Sequence, residues 1–148
     1  MERDEELAGS LVGGWLLRRW SIAYPDGRPD TLPFGDDATG LLLYGADGWM
    51  SATMCRAERE ALAPALATTP TDADRARAFD GYLAYAGRWS VQGDVVAHEV
   101  VMSMNPVLIG TLQLRQAVLV GDELELGADE TDARGRSRRH SILWRRAR

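Results

Sequence analysis

The chain has 148 residues, 45% hydrophobic and 26% charged, with a formal net charge of −5. A chain of this length can bury a core without staples, so residues 1–148 read as one domain, and no apolar run approaches the ~20 residues of a membrane span. Cys55 is the only cysteine, there are two histidines, and all 17 basic residues are arginine; this excludes an internal disulfide, thiolate metal clusters, lysine Schiff-base chemistry and a Walker-type phosphate loop, and makes a His-rich metal site unlikely on composition alone.

Residues 1–9 are acidic and read as a flexible leader, without the basic and apolar regions of a signal peptide, so a cytoplasmic location is expected. Residues 11–22 form a first long strand, ended by the turn signal Pro25-Asp26-Gly27, and residues 28–38 form a loop rich in Pro, Gly and Asp. Residues 40–44 and 49–54 make a hairpin around Gly45-Ala46-Asp47-Gly48. Residues 55–70 lack strand periodicity. Thr71 and Asp74 form a capping signal for a short helix over 72–79. Strands follow at 82–91, 94–103, 110–120, 123–127 and 137–145, with Gly93-Asp94 and Gly121-Asp122 as tight turns and 128–136 as a polar connection.

About eight strands with mostly short connections imply antiparallel neighbours. The expected fold class is therefore all-β, a closed antiparallel up-and-down β-barrel with one short helix, wide enough to hold one small ligand.

The strand at 94–103 places Val96, His98, Val100, Met102 and Met104 on one parity, an apolar row broken by one imidazole. His98 is either a neutral core residue bonded to a tyrosine or carbonyl, or a pocket residue that accepts a substrate proton or polarises a carbonyl; both readings stay open. Arg115 shares a mixed polar row with Thr111 and Gln113, and faces either solvent or a bound carboxylate or enolate. On 82–91, Tyr82 and Arg88 share one parity and Tyr85 and Trp89 the other, so only one set faces inward. Tyr44, Tyr82 and Tyr85 offer hydroxyls on apolar bodies, as pocket linings do.

Charge is uneven along the chain. Seven arginines and no acid follow Asp132, so the tail carries +7 against −12 before it. Its core-type residues Ile142, Leu143 and Trp144 favour a strand paired with the acidic run 123–132 over a nucleic-acid-binding arm.

Several strings occur in a familiar order: Leu11-Val12-Gly13-Gly14-Trp15-Leu16-Leu17, then Pro33-Phe34-Gly35, Gly40-Leu41-Leu42-Leu43-Tyr44 and Asp47-Gly48-Trp49-Met50-Ser51. Ala78-Phe79-Asp80-Gly81-Tyr82-Leu83-Ala84-Tyr85-Ala86-Gly87 follows, then Val91 to Asp94, His98 to Pro106, Arg115, Leu119-Val120-Gly121-Asp122 and Leu143-Trp144. Together they resemble the bacterial lipocalin-like domain family over nearly the whole chain. The resemblance implies a lipocalin-like barrel, places an arginine at 115, and suggests a kinship in style with cofactor-free barrel cyclases of specialised metabolism.

The expectation is a barrel that binds a hydrophobic, partly oxygenated small molecule and promotes its cyclisation or isomerisation, as in polyketide-type natural product biosynthesis, with no cofactor and no metal. His98, Arg115 and Tyr82 are the candidate catalytic residues; Tyr44, Tyr85, Trp49, Trp89, Met102 and Gln113 are the candidate ligand-binding residues. Catalysis would come from constraining a reactive conformer and from hydrogen bonds to a carbonyl that gains charge. The alternative is a non-catalytic carrier or sensor. No nucleic acid or membrane partner is expected, and a homodimer is left open.

Overall fold

A computed structural model describes residues 2–148, with Met1 outside the described residues. Eight strands follow in chain order: β1 (Gly13–Ala23), β2 (Thr39–Tyr44), β3 (Trp49–Cys55), β4 (Tyr82–Gln92), β5 (Val95–Ser103), β6 (Leu112–Val120), β7 (Glu123–Thr131) and β8 (Ser137–Arg146). Each pairs antiparallel with its neighbour and β8 returns to β1, closing an up-and-down barrel. Closure leaves no unpaired edge. The turns between β4 and β5 and between β6 and β7 are the two-residue Gly-Asp loops; Gly93 and Gly121 take φ of +65° and +60°, a backbone that favours glycine at the first turn position.

The acidic segment read as a flexible leader is instead helix α1 (Glu2–Leu11). Glu2, Asp4 and Glu5 in its first turn complement the helix dipole, and Asp4 accepts a hydrogen bond from the Gly93 backbone at 2.9 Å. Leu7 and Leu11 pack on the core, and the Trp15 indole donates to the Leu11 carbonyl at 2.9 Å, so α1 closes the barrel end from which β1 starts. Only apolar spacing late in the segment signalled this, because its first six residues are dominated by charge.

The β3–β4 connection carries a 3-10 turn (Arg59–Leu62), helix α2 (Ala63–Ala67) and helix α3 (Asp72–Asp80), so the helical content exceeds the one short helix expected. The Thr71–Asp74 capping box is formed, with bonds of 3.1 and 2.9 Å. A second 3-10 turn (Pro106–Leu108) precedes β6.

β7 runs to Thr131, beyond the expected end at 127, because Asp129 pairs with Arg139 and Glu130 with Arg138 across the ladder. Both pairs are ion-paired, and Asp122 holds Arg146 and Arg148. The arginine-rich tail is thus matched along its length by the acidic strand and turn beside it. Facing opposite charges stabilise such a ladder modestly.

Two bulges reset which residues face the lumen. Ala86 pairs with Met102 and Gly87 with Val100, so Val101 is an extra residue in β5; Leu17 pairs with Trp144 and Arg19 with Leu143, so Arg18 is extra in β1. Gly87 makes the β5 bulge possible, since a Cβ there would lie 1.8 Å from the Glu99 carbonyl oxygen. No helix among the described residues is long and apolar enough to cross a membrane.

Candidate functional site

The barrel interior is filled at the α1 end and open toward the other. Trp15, Leu42, Val96 and Leu124 pack the closed end. Beyond them lies a cavity of about 280 Å³, just under the ~300 Å³ lower bound typical of small-molecule sites. Its inner wall carries Tyr85, His98 and Trp144, its side Gln113 and Arg115, and its mouth Trp20, Glu130 and His140.

His98 stands on the inward parity of β5 with Val96 and Val100 and is 2% exposed. Tyr44 Oη lies 2.6 Å from its Nε2, and Tyr85 Oη lies 2.7 Å from its Nδ1. Burial, helped by the charge of Arg115, lowers the His98 pKa to about 3, so the imidazole is neutral near neutral pH. A neutral ring has one donor and one acceptor nitrogen.

Geometry decides which is which. Tyr44 is 2% exposed and bonds only His98 among the described residues, so its proton must go to Nε2; pointed elsewhere it would be a buried orphan. Nδ1 then carries the ring proton and donates to Tyr85 Oη. Tyr85 lines the cavity, and its own O–H is left to donate into the lumen. The chain Tyr44 to His98 to Tyr85 is a relay of aligned donors, each polarising the next. Burial raises the pKa of both tyrosines, Tyr44 far above its usual value, so both remain protonated donors.

Arg115 faces inward on β6. One Nη donates to the Leu114 carbonyl at 2.9 Å and the other to Gln113 Oε1 at 3.2 Å, while the Gln113 amide donates to Thr111 at 2.8 Å. No carboxylate among the described residues pairs with this guanidinium. Trp89, on the inward parity with Tyr85, donates to the Gly45 carbonyl at 2.9 Å and packs on Tyr44 with ring centroids 4.5 Å apart. It braces the relay from behind, and neither Trp89 nor Tyr44 is among the cavity-lining residues.

Three expected site residues fall outside the lumen. Tyr82 has the outward parity of β4, beneath the Arg59 guanidinium at 4.8 Å from its ring centroid. Trp49 is 42% exposed on β3 and carries Arg88 over its ring. Met102 is 57% exposed, because the extra residue Val101 shifts β5 by one and turns Met102 outward.

The mouth was not read from the sequence. His140 lies on the inward parity of β8 with Ile142 and Trp144, a spacing that could have revealed it. Its Nδ1 accepts from the Trp20 indole at 3.0 Å, so its proton sits on Nε2 and is donated to Glu130 Oε2 at 2.7 Å. Burial depresses the His140 pKa, against the pull of Glu130. Burial alone would raise the Glu130 pKa, but the bonds from Arg138 and His140 outweigh it and hold the carboxyl below its usual range. Glu130 was hidden because its segment was read as a loop.

Trp144 carries the remaining anomaly. It is 2% exposed, lines the cavity, and its Nε1 is the one buried side-chain donor without a partner among the described residues. No group of three or more metal-ligating side chains occurs among the described residues.

Compared with known proteins, residues 12–147 match the family model described as a lipocalin-like domain. No curated protein and no solved structure matches the chain.

Proposed function

The chain belongs to the lipocalin-like domain family, and on that premise we propose that its lumen binds a small hydrophobic molecule through an oxygen acceptor and stabilises charge that develops on that oxygen. The observation that carries this is the Tyr44–His98–Tyr85 relay, which leaves a polarised hydroxyl aimed into an otherwise largely apolar cavity. Arg115 adds a full positive charge along the same wall. Preorganised donors of this kind favour an enolate or oxyanion over the neutral carbonyl from which it forms.

The chemistry that suits such a site is cofactor-independent isomerisation or cyclisation of an oxygenated, flexible chain, as in polyketide-type biosynthesis. Tyr85 and Arg115 would be the catalytic residues, because they can touch the reacting oxygen. His98 and Tyr44 are positioning residues. Of the two readings left open for His98, the neutral imidazole bonded to tyrosine fits best, since both nitrogens are engaged. Tyr82 has no place at this oxygen. A cytoplasmic setting and a single domain belong to the same reading.

A second reading, a non-catalytic carrier, is favoured by one observation: each lumen carboxylate or imidazole that could take a proton is already engaged. Turnover of an unsaturated linear β-dicarbonyl compound, followed by chromatography, separates the two. Loss of rate in Tyr85→Phe and Arg115→Met, with Tyr82→Phe unchanged, supports catalysis. Product formation no faster with the wild type than in buffer refutes it and leaves the carrier.

A further inference from the structure

We propose that the ligand's head is acidic, with its charge spread over two oxygens as in a carboxylate or an enolised β-dicarbonyl, and that Arg115 receives it beside Tyr85. This rests on the lumen-binding reading above and specifies what enters.

The cavity has a surplus of donors. The Tyr85 O–H is unspent once Nδ1 of His98 donates to it, and Arg115 uses two of its five N–H groups. The acceptors along the wall each receive at least one bond already. Gln113 Oε1 receives Arg115, Glu130 receives Arg138 and His140, and Asp129 receives Arg139.

A buried donor left unmade costs about 1–3 kcal/mol, so the complementary ligand brings several acceptor lone pairs. One neutral carbonyl could serve Tyr85 but would leave the half-buried guanidinium without a counter-charge. A two-oxygen anion answers both needs, because the planar guanidinium matches it geometrically. His98 is held neutral chiefly by its burial, and the positive charge of Arg115 acts in the same direction.

Size limits the body. The roughly 280 Å³ cavity, filled at about 20–30 Å³ per non-hydrogen atom with the share of a liquid water as the upper figure, holds on the order of ten to fourteen such atoms. A longer tail would leave by the mouth beside Trp20, Glu130 and His140.

Calorimetric titration of the full chain with octanoate, decanoate and dodecanoate, with their methyl esters, and with an acidic cyclic β-triketone tests this. The wild type is expected to bind at least one acid about tenfold or more tighter than the matched ester, the scale of a charge-assisted hydrogen bond. Arg115→Met and Arg115→Gln should erase that preference, weakening the acid by at least about tenfold more than the ester. Tyr85→Phe should weaken the acid by roughly three- to tenfold. If a variant does not fold, the guanidinium N–H resonances of Arg115 in the wild type should shift on adding acid and stay put on adding ester. Preference for the alkyl acids alone or for the triketone alone identifies which two-oxygen head is taken. Equal binding of acids and esters overturns the acidic-head inference and leaves lumen binding intact. No binding of any compound overturns both.

Discussion

At the end where α1 packs, Leu11, Trp15 and Leu124 are fully buried and the polar atoms among them are satisfied within the protein. At the other end Trp20, Glu130 and His140 hold one another around an opening into the cavity. The two histidines express the same contrast. His98 is sealed between two tyrosines with nothing charged bonded to it, whereas His140 is pinned between an indole and a carboxylate within reach of water. Closely packed apolar surface fixes the barrel at one end, and a polar rim surrounds the opening at the other. Small-molecule sites need that division, since a rigid floor preorganises donors that a mobile one would misalign.

The division can be broken most forcefully at the floor. Trp15→Ala should cost about 3–5 kcal/mol of unfolding free energy, read by chemical denaturation, because it leaves a cavity under α1 and removes the indole bond to Leu11. A loss below about 1 kcal/mol would mean that α1 does not seal the floor.

Acid should discriminate the two ends next. His98 has a folded pKa of about 3, below the 6.5 of a free imidazole, so the unfolded chain binds a proton that the folded chain refuses. Stability is then full above about pH 6.5 and falls as pH drops toward 3, by roughly 1 kcal/mol per pH unit. Between pH 7 and 5, above the range where carboxylates titrate, the decline should be on the order of 2 kcal/mol. His140 is depressed in the same direction and adds with the same sign. In His98→Asn the slope should flatten more than in His140→Asn. The reverse order would place the buried neutral imidazole at the wrong end.

Tyr44→Phe should cost about 1–3 kcal/mol by stranding Nε2 of His98 without a donor. Nitrogen chemical shifts of the His98 ring should report the Nδ1–H form in the wild type and lose that single tautomer in the variant. A wild-type ring in the Nε2–H form would reverse the relay and take away the free Tyr85 proton.

The smallest effect belongs to the rim. Glu130→Gln should change stability by no more than about 1 kcal/mol, since Arg138 and Glu130 form a partly exposed, solvent-screened pair. A larger loss would make the mouth part of the structural core.

Much of the architecture was legible along the chain. Alternating apolar residues, the Gly-Asp turns and the Thr71–Asp74 cap mark the strands and the helix near the places they occupy, and short connections dictate antiparallel closure. The opposing charges of the tail and of the 123–132 run likewise announce their pairing. The candidate site was only half legible. His98, Arg115, Tyr85 and Gln113 do line one cavity, but Met102, Trp49 and Tyr82 face away from it, and Trp144, His140 and Glu130 were not singled out.

What the sequence determined by itself is local: a period of two, the turn chemistry, the charge match of neighbouring strands, and from these an eight-stranded closed barrel. What only the tertiary structure decided is which half of each strand looks inward and which side chains meet. An inserted residue such as Val101 reverses the phase of a strand without altering its composition, and Gly87 permits it through a contact with a different strand. Tyr44, Tyr85 and His98 come from three strands, with Tyr44 and His98 54 positions apart. Their tautomeric order, and the donors left over for a ligand, follow from closure of the barrel, which brings distant strands within hydrogen-bond range where water cannot compete.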